Sequence, residues 1–396
     1  MNARANWYIT GVAITFLVAG VVLSHRVEGG IRVEAVTLAA GTPALKFLPA
    51  DPGPHPVVLL AHGLTGSKEM FFRFGEALAA AGFECCSVDL PGHGASSQPF
   101  SIAGSVQSLK VVARESGPVD VFIGHSLGAY VEAAAMQDAD LNPRLLIAVG
   151  ALPGVGEHGP PLLLLAGRFE EFVTPARLKE RPDARSVISP NSDHAFEPFD
   201  GYLVKTAVEA ACAAVGRPAP ASIPDTWRWR SFGMILALLG AVVLALHLPE
   251  FPSRWSLLRG PVVWVIIVGA FILCSGTWIG ATPHLRHIPL QVTVMVVGWL
   301  MITGAAKVRL PRWSLVPLTV AVALICAVVG AQIIAFFVSL FVLALIVATL
   351  LGAIASRHGS RRDGDVAMAI HMGYVVGQWL PFPLFAFVKF LLGIYT

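Results

Sequence analysis

A chain of 396 residues has room for more than one domain, and 55% hydrophobic against 13% charged residues is too apolar for an ordinary soluble protein of that length. The net charge of +3 names no partner, and no basic stripe with interleaved aromatics occurs between residues 30 and 217, which argues against nucleic acid. The five cysteines make no disulfide framework: Cys85 and Cys86 are adjacent on one expected strand, and Cys274 and Cys326 lie in apolar runs.

The apolar excess is segregated. Residues 30 to 217 have the mixed pattern of a globular domain, whereas 231 to 396 is a series of long apolar runs broken by short basic loops. All nine tryptophans lie outside 30–217, many near the ends of such runs, where a membrane interface places them. The expected organisation is an N-terminal transmembrane anchor over 1–27, a globular domain over 28–220 and a membrane domain of about six helices over 221–396.

In chain order, Trp7–Leu23 is the first candidate span; the small residues Val18-Ala19-Gly20 leave a cleaved signal peptide as the alternative. Ile31–Leu38 and Pro43–Leu48 read as a hairpin, Pro56–Ala61 as a buried strand, and Glu69–Ala81 as an amphipathic helix. Strand Phe83–Val88, helix Ile102–Arg114, strand Val119–Gly124, a helix after Ser126 and strand Leu145–Gly150 follow. Strand Pro161–Ala166, helix Pro175–Lys179, strand Arg185–Ile188 and helix Tyr202–Val215 complete the domain. Such alternation predicts a mostly parallel, doubly wound sheet covered on both faces, with functional loops beyond the carboxyl ends of its strands.

Beyond it, Phe232–Leu248, Pro261–Ala281, Ile288–Ala306, Trp313–Ala355 and Val366–Leu392 are apolar enough to span, giving an all-α transmembrane bundle. The stretch 313–355 would be roughly 65 Å long as helix, twice the hydrocarbon thickness, so two helices meeting near Gly330-Ala331-Gln332 are expected. Pro381 and Pro383 predict a kink in the last span. With the N-terminus cytoplasmic, Arg254/Arg259, Lys307/Arg309/Arg312 and Arg357/Arg361/Arg362 all fall on the cytoplasmic side and only Arg286 on the outer side. The globular domain then lies on the extracytoplasmic side of a plasma or bacterial-type inner membrane.

Polar groups in the apolar part give little to work with. Glu250, Asp363 and Asp365 are the only acids after residue 231, and all are expected in loops, leaving no mid-membrane carboxylate for ion coupling. His371, Gln332 and Gln378 read as interhelical hydrogen-bonding groups. His284 and His287 share a short outer loop but lack a third ligand, so no metal site is expected.

Three motifs stand at strand ends in the globular domain. His62-Gly63-Leu64-Thr65-Gly66 follows the strand 56–61, and Asp89-Leu90-Pro91-Gly92-His93-Gly94 follows 83–88. Gly124-His125-Ser126-Leu127-Gly128 joins a strand to a helix, the setting of a nucleophile elbow. This ordered set resembles the α/β-hydrolase superfamily, particularly its small esterases, lipases and dienelactone-hydrolase-like members, over roughly residues 30–215.

The resemblance implies a serine nucleophile, Ser126, with the oxyanion held by the backbone N–H groups of Leu64 and Leu127. It implies an acid and then a histidine downstream. His194, in Asn191-Ser192-Asp193-His194-Ala195-Phe196 between a short strand and the last helix, stands at the family's position for the base; His158 and His93 are the alternatives. Gly167-Arg168-Phe169-Glu170-Glu171-Phe172-Val173-Thr174-Pro175 is similar to the family's acid turn, with Glu170 where Asp is commoner and Glu171 as competitor. Only Ala151–Pro160 stands where many relatives insert a helical cap, so the site is expected to be open or covered by the membrane face or the outer loop near His284.

The expected function is therefore a membrane-anchored hydrolase of carboxylic esters, a lipid or acyl ester being suggested by the tether, working without cofactor among membrane lipids. The alternative is a transport or lipid-handling protein with an accessory or inactive hydrolase domain.

Overall fold

In a computed structural model the described residues are 3–27, 30–64, 66–137, 140–156, 159–178, 181–224, 226–248, 258–275, 332–356 and 361–379. They divide into two compact units, one running from Val27 to Arg228 and the other formed by the N-terminal segment to Arg26 and the helices after Trp229.

The Val27–Arg228 unit is an eight-stranded sheet. Its elements are β1 (Arg32–Leu38), β2 (Thr42–Leu48), β3 (Val57–Ala61), α2 (Phe72–Ala80), β4 (Glu84–Val88), α3 (Ile102–Glu115), β5 (Val119–His125) and α4 (Leu127–Ala135). Then come β6 (Leu145–Val149), β7 (Leu162–Gly167), α5 (Pro175–Leu178), β8 (Arg185–Ser189) and α6 (Gly201–Ala214); α1 (Ala3–Ser24) precedes them all in the other unit. The spatial order is β1-β2-β4-β3-β5-β6-β7-β8. The hairpin β1–β2 and the pair β2–β4 are antiparallel, and every other pair is parallel.

Apolar runs explain the interior strands. Leu162–Gly167 is buried throughout, as a parallel strand covered on both faces must be. Helices α3 and α4 pack together on the sheet, as α2 and α6 do. Leu59, Phe122, Leu146 and Leu164 from four neighbouring strands join Leu109 and Val112 of α3 and Val131 of α4 in one core. Phe47, Phe71, Phe72 and Phe74 form edge-to-face pairs in a second packed region. The chain passes from β4 across β3 to β5, so winding reverses between β3 and β5. That switch point opens a crevice at the carboxyl ends of the two strands.

The helical unit comprises α1, α7 (Thr226–Leu246), α8 (Arg259–Ser275), α9 (Gln332–Ser356) and α10 (Arg361–Trp379) among the described residues. Among the described residues two helices, with apolar windows Trp7–Ser24 and Thr226–Leu246, are long and apolar enough to cross a membrane; Arg259–Cys274 and Ala344–Ser356 are shorter apolar stretches. Backbones approach closely: a Cβ on Gly20 or Gly233 would collide with the facing helix backbone.

Two expectations are corrected here. Asp363 and Asp365 are not loop residues: α10 starts at Arg361, and both are buried in its first turns. There their charge faces the positive end of the helix dipole. Arg259 is likewise no loop charge. It opens α8, is 1% exposed, and donates to the carbonyls of Ala355 at 3.0 Å and Leu248 at 3.3 Å, acceptors that the ends of α9 and α7 leave unpaired. The expected span Ile288–Ala306, the residues 313–331, Pro381, Pro383, His284, His287 and Cys326 lie outside the described residues. Cys85, Cys86, Cys212 and Cys274 are buried free thiols.

Candidate active site

The elbow is built from close approach. A Cβ on Gly124 would overlap the Ala129 backbone of α4, and one on Gly128 would overlap the Ala61 carbonyl at the end of β3. With glycine at both places, β5 turns directly into α4. Ser126 between them has φ 50° and ψ −118°, a strained conformation for a residue with a side chain. It is held by its own N–H, which donates to the Val149 carbonyl at 2.9 Å, and by its carbonyl, which accepts from Ala129 N–H. Ser126 is half-buried.

Leu127 is the first residue of α4, so its N–H is among those the helix leaves unpaired. Leu64 lies in the turn after β3, closed by Gly66 N–H donating to the Gly63 carbonyl. Gly63 sits against the elbow: a Cβ there would lie 3.2 Å from Ser126 Cβ. Both expected oxyanion donors thus flank the β3–β5 crevice.

His194 and Glu170 meet in the structure. The ring Nδ1 of His194 lies 2.8 Å from Glu170 Oε2, and both side chains are buried. Glu170 Oε1 accepts from Phe172 N–H at 2.7 Å and Val173 N–H at 2.9 Å, so the carboxylate is fixed by its own turn. Burial pushes the Glu170 carboxyl up, but the hydrogen bond and charge of His194 outweigh it and hold the group below the ordinary glutamate range. Glu171, the competitor, touches no ring: its Oε2 accepts from the His194 backbone N–H at 3.2 Å. The Phe172 ring packs on the imidazole at 4.4 Å between centroids.

The Asp89 turn is structural. Asp89 accepts from Lys68 N–H at 2.7 Å, Lys68 Nζ at 2.8 Å and Ala95 N–H at 2.8 Å. His93 is buried against His62 and Phe100. His62 Nε2 accepts from Leu90 N–H at 3.1 Å, tying the first turn to the second. His158 lies outside the described residues. Among the described residues between β6 and β7 no helix forms.

Two residues without a sequence signal join the cluster. His125, the unspecified position of the elbow motif, is buried; its Nε2 donates to the His194 carbonyl at 2.9 Å. Burial, reinforced by the nearby His194, holds its ring well below the usual histidine range and hence neutral. Glu197, three residues past His194, is fully buried beside both rings. A glutamate before a proline reads as a helix-start acid, and nothing in its spacing separates it from that. The donor atoms of His125, His194 and Glu197 fall within 4.8 Å of one another, close enough for a cation. A cation there would have to displace Glu170 from Nδ1 of His194, so the cluster reads as a hydrogen-bonded network.

A parallel sheet reversing at β3/β5, with a strained serine at one strand end and a buried acid–imidazole pair beside it, defines the α/β-hydrolase fold. The chain belongs to the alpha/beta hydrolase family, whose model matches residues 58–287. It is similar to TT1662 from Thermus thermophilus, with 24% identity over 47% of this chain and 97% of that one, at a TM-score of 0.37. The M. tuberculosis esterase Rv0045c shows 17% identity over 52% and 98% of the two chains, with a TM-score of 0.39. Est1E from Butyrivibrio proteoclasticus shows 18% identity over 46% and 99%, also with a TM-score of 0.39. No curated protein matches the chain.

Proposed function

We propose that this hydrolase is a membrane-anchored serine hydrolase that cleaves a carboxylic ester through a Ser126–His194–Glu170 triad. The observation that carries the reading is the 2.8 Å contact of Glu170 with Nδ1 of His194, at the carboxyl-end face of the sheet where Ser126 occupies a positive-φ turn. Glu170 at Nδ1 fixes the tautomer whose Nε2 has a free lone pair, as a general base needs.

Ser126 Oγ attacks the ester carbonyl carbon while Nε2 of His194 takes its proton, and Glu170 stabilises the imidazolium. The N–H groups of Leu64 and Leu127 receive the oxyanion, each donor contributing on the order of 3 kcal/mol. Collapse breaks the ester C–O bond, and His194 returns the proton to the departing alcohol. Water, deprotonated by the same imidazole, then attacks the acyl-serine; the acid leaves and Ser126 regains its proton. No step calls on a cofactor.

The two apolar helices that flank the α/β unit in sequence support the anchoring, and the anchoring favours a lipid or acyl ester as substrate. A lipid-handling or transport module with an accessory hydrolase is the second reading, favoured by the buried Asp363 and Asp365. Both lie in the first turns of α10, where the helix dipole already accounts for them.

A fluorophosphonate probe tests the triad on the full chain. Wild type is expected to label, and Ser126→Ala and His194→Ala are expected to lose it. A wild type that stays unlabelled, or a Ser126→Ala protein that still labels, overturns the assignment.

A further inference from the structure

Glu197 belongs to no triad motif, yet it is more enclosed than Glu170: the two residues are 0% and 3% exposed. It opens a single 3-10 turn, Glu197–Phe199, that precedes α6. Its Oε1 accepts from Gly167 N–H at 2.6 Å, which ties it to the last residue of β7 and so to the turn that carries Glu170. Its Oε2 accepts from no N–H or hydroxyl donor among the described residues. That atom lies 3.7 Å from Nε2 of His125 and 3.9 Å from Nδ1 of His194. Gly150, at φ 58°, forms the adjoining wall; a Cβ there would overlap Glu197 Oε2 and lie 2.9 Å from His194 Nδ1.

Neither ring is free to satisfy Oε2. The Nε2–H of His125 is committed to the His194 carbonyl, and Nδ1 of His194 to Glu170. Glu170 Oε2 and Glu197 Oε2 both stand against Nδ1 of His194, at 2.8 and 3.9 Å, so a negative charge on Glu197 would be buried beside a second carboxylate with no cation to offset it among the described residues. Other charged groups around the turn are engaged elsewhere. Lys68 pairs with Asp89 and Glu69, and Arg73 of α2 donates to the Phe199 carbonyl. Asp200 accepts from Ser189 and from the first N–H groups of α6, and Glu171 accepts from the His194 backbone.

We infer that Glu197 is a positioning residue: it retains its proton, offers it to Glu170, and so leaves the site a single carboxylate aimed at His194. Two carboxyl groups sharing one buried site cannot both ionise, and the one bonded to an imidazole keeps the charge. The pKa directions agree. Burial and then the charge of Glu170 push Glu197 far above the glutamate range, and the Glu197 contact helps to hold Glu170 below it. The inference rests on the triad reading and adds to it a second, neutral carboxyl behind the acid.

The test measures the rate constant of fluorophosphonate labelling between about pH 5 and 9 on the full-length protein, for wild type, Glu197→Gln and Glu197→Met. Glutamine keeps the Gly167 bond through its amide oxygen and replaces the O–H with an N–H donor. It is expected to label within about twofold of wild type, with the same pH midpoint. Methionine fills the space without a donor. It is expected to slow labelling by about tenfold or more and to move the midpoint upward, because an unshared Glu170 grips the imidazolium more tightly.

A Glu197→Gln midpoint that moves downward means an ionised Glu197 was supplying charge, and overturns the inference. So does a Glu197→Met protein with wild-type rate and midpoint, whatever its melting temperature, since that role is only structural. If the methionine variant does not fold, the glutamine midpoint alone decides. Wild-type labelling that Ser126→Ala abolishes separates these outcomes from failure of the triad itself.

Discussion

Two adjacent glutamates after β7 act on the same histidine in different ways. Glu170 reaches the ring and is itself held by two backbone N–H groups, whereas Glu171 reaches only the backbone of the histidine loop. Removing the Glu170 charge leaves the imidazole without its orienting acceptor. Glu170→Gln is therefore expected to lower kcat/KM for a small chromogenic ester by about a thousandfold or more, and Glu171→Gln by less than about tenfold. If the Glu171 change proves the crippling one, the acid must be reassigned. The turns that carry Ser126, Glu170 and His194 were legible in the sequence because each follows a strand, and the resemblance supplied the roles proposed for them. Glu197 was not, because it reaches the cluster only through folding: its partner Gly167 is thirty residues away in the chain.

Strand and helix positions were legible for a different reason. Buried parallel strands are short apolar runs, and the helices between them carry apolar residues at helical spacing. The start of α2 escaped that pattern. Residues Lys68–Phe71 form a 3-10 turn instead, because both the backbone N–H and the side chain of Lys68 are bound to Asp89. Helix α4 hides another feature. Glu132 is 0% exposed, and no side chain among the described residues bonds its carboxyl. Burial, only partly offset by the backbone of Ile123, pushes its carboxyl well above the ordinary value of 4.5.

The folded state therefore keeps a proton that the unfolded chain releases once pH exceeds 4.5. This contribution to stability is complete below that pH and is lost as pH rises towards the folded pKa, at about 1.4 kcal/mol per pH unit. Glu132→Gln, which cannot ionise, is expected to melt higher than wild type at pH 8, with the gain shrinking towards pH 4. Melting curves at the two pH values check this; an equal difference at both would mean that Glu132 is charged in the fold.

At the scale of the molecule, the proposed anchoring raises the question of which side of a membrane the α/β unit would occupy. Within the helical unit, Arg259 ties the start of α8 to the ends of α7 and α9, so these three helix ends lie together. In sequence Arg254, Arg357, Arg361 and Arg362 stand next to these helix ends, and in the proposed anchoring the positive-inside bias would put that end in the cytoplasm. At the start of α7, Arg230 donates to the Ser24 carbonyl at the last turn of α1, which joins the two points where the chain leaves and re-enters the helices. In the proposed anchoring, with α1 and α7 both spanning, the segment between Ser24 and Thr226 is expected on the other side of the membrane from the Arg259 end. The proposed anchoring keeps α1 attached, a reading supported by the close backbone contacts of Gly20 with Gly233 and Ala237. The proposed topology thus predicts that protease added to intact cells or spheroplasts cuts the α/β unit, while a tag at residue 1 remains protected. A protected α/β unit, alongside outward-facing controls that are cut, would invert the topology and place the serine site at the cytoplasmic surface.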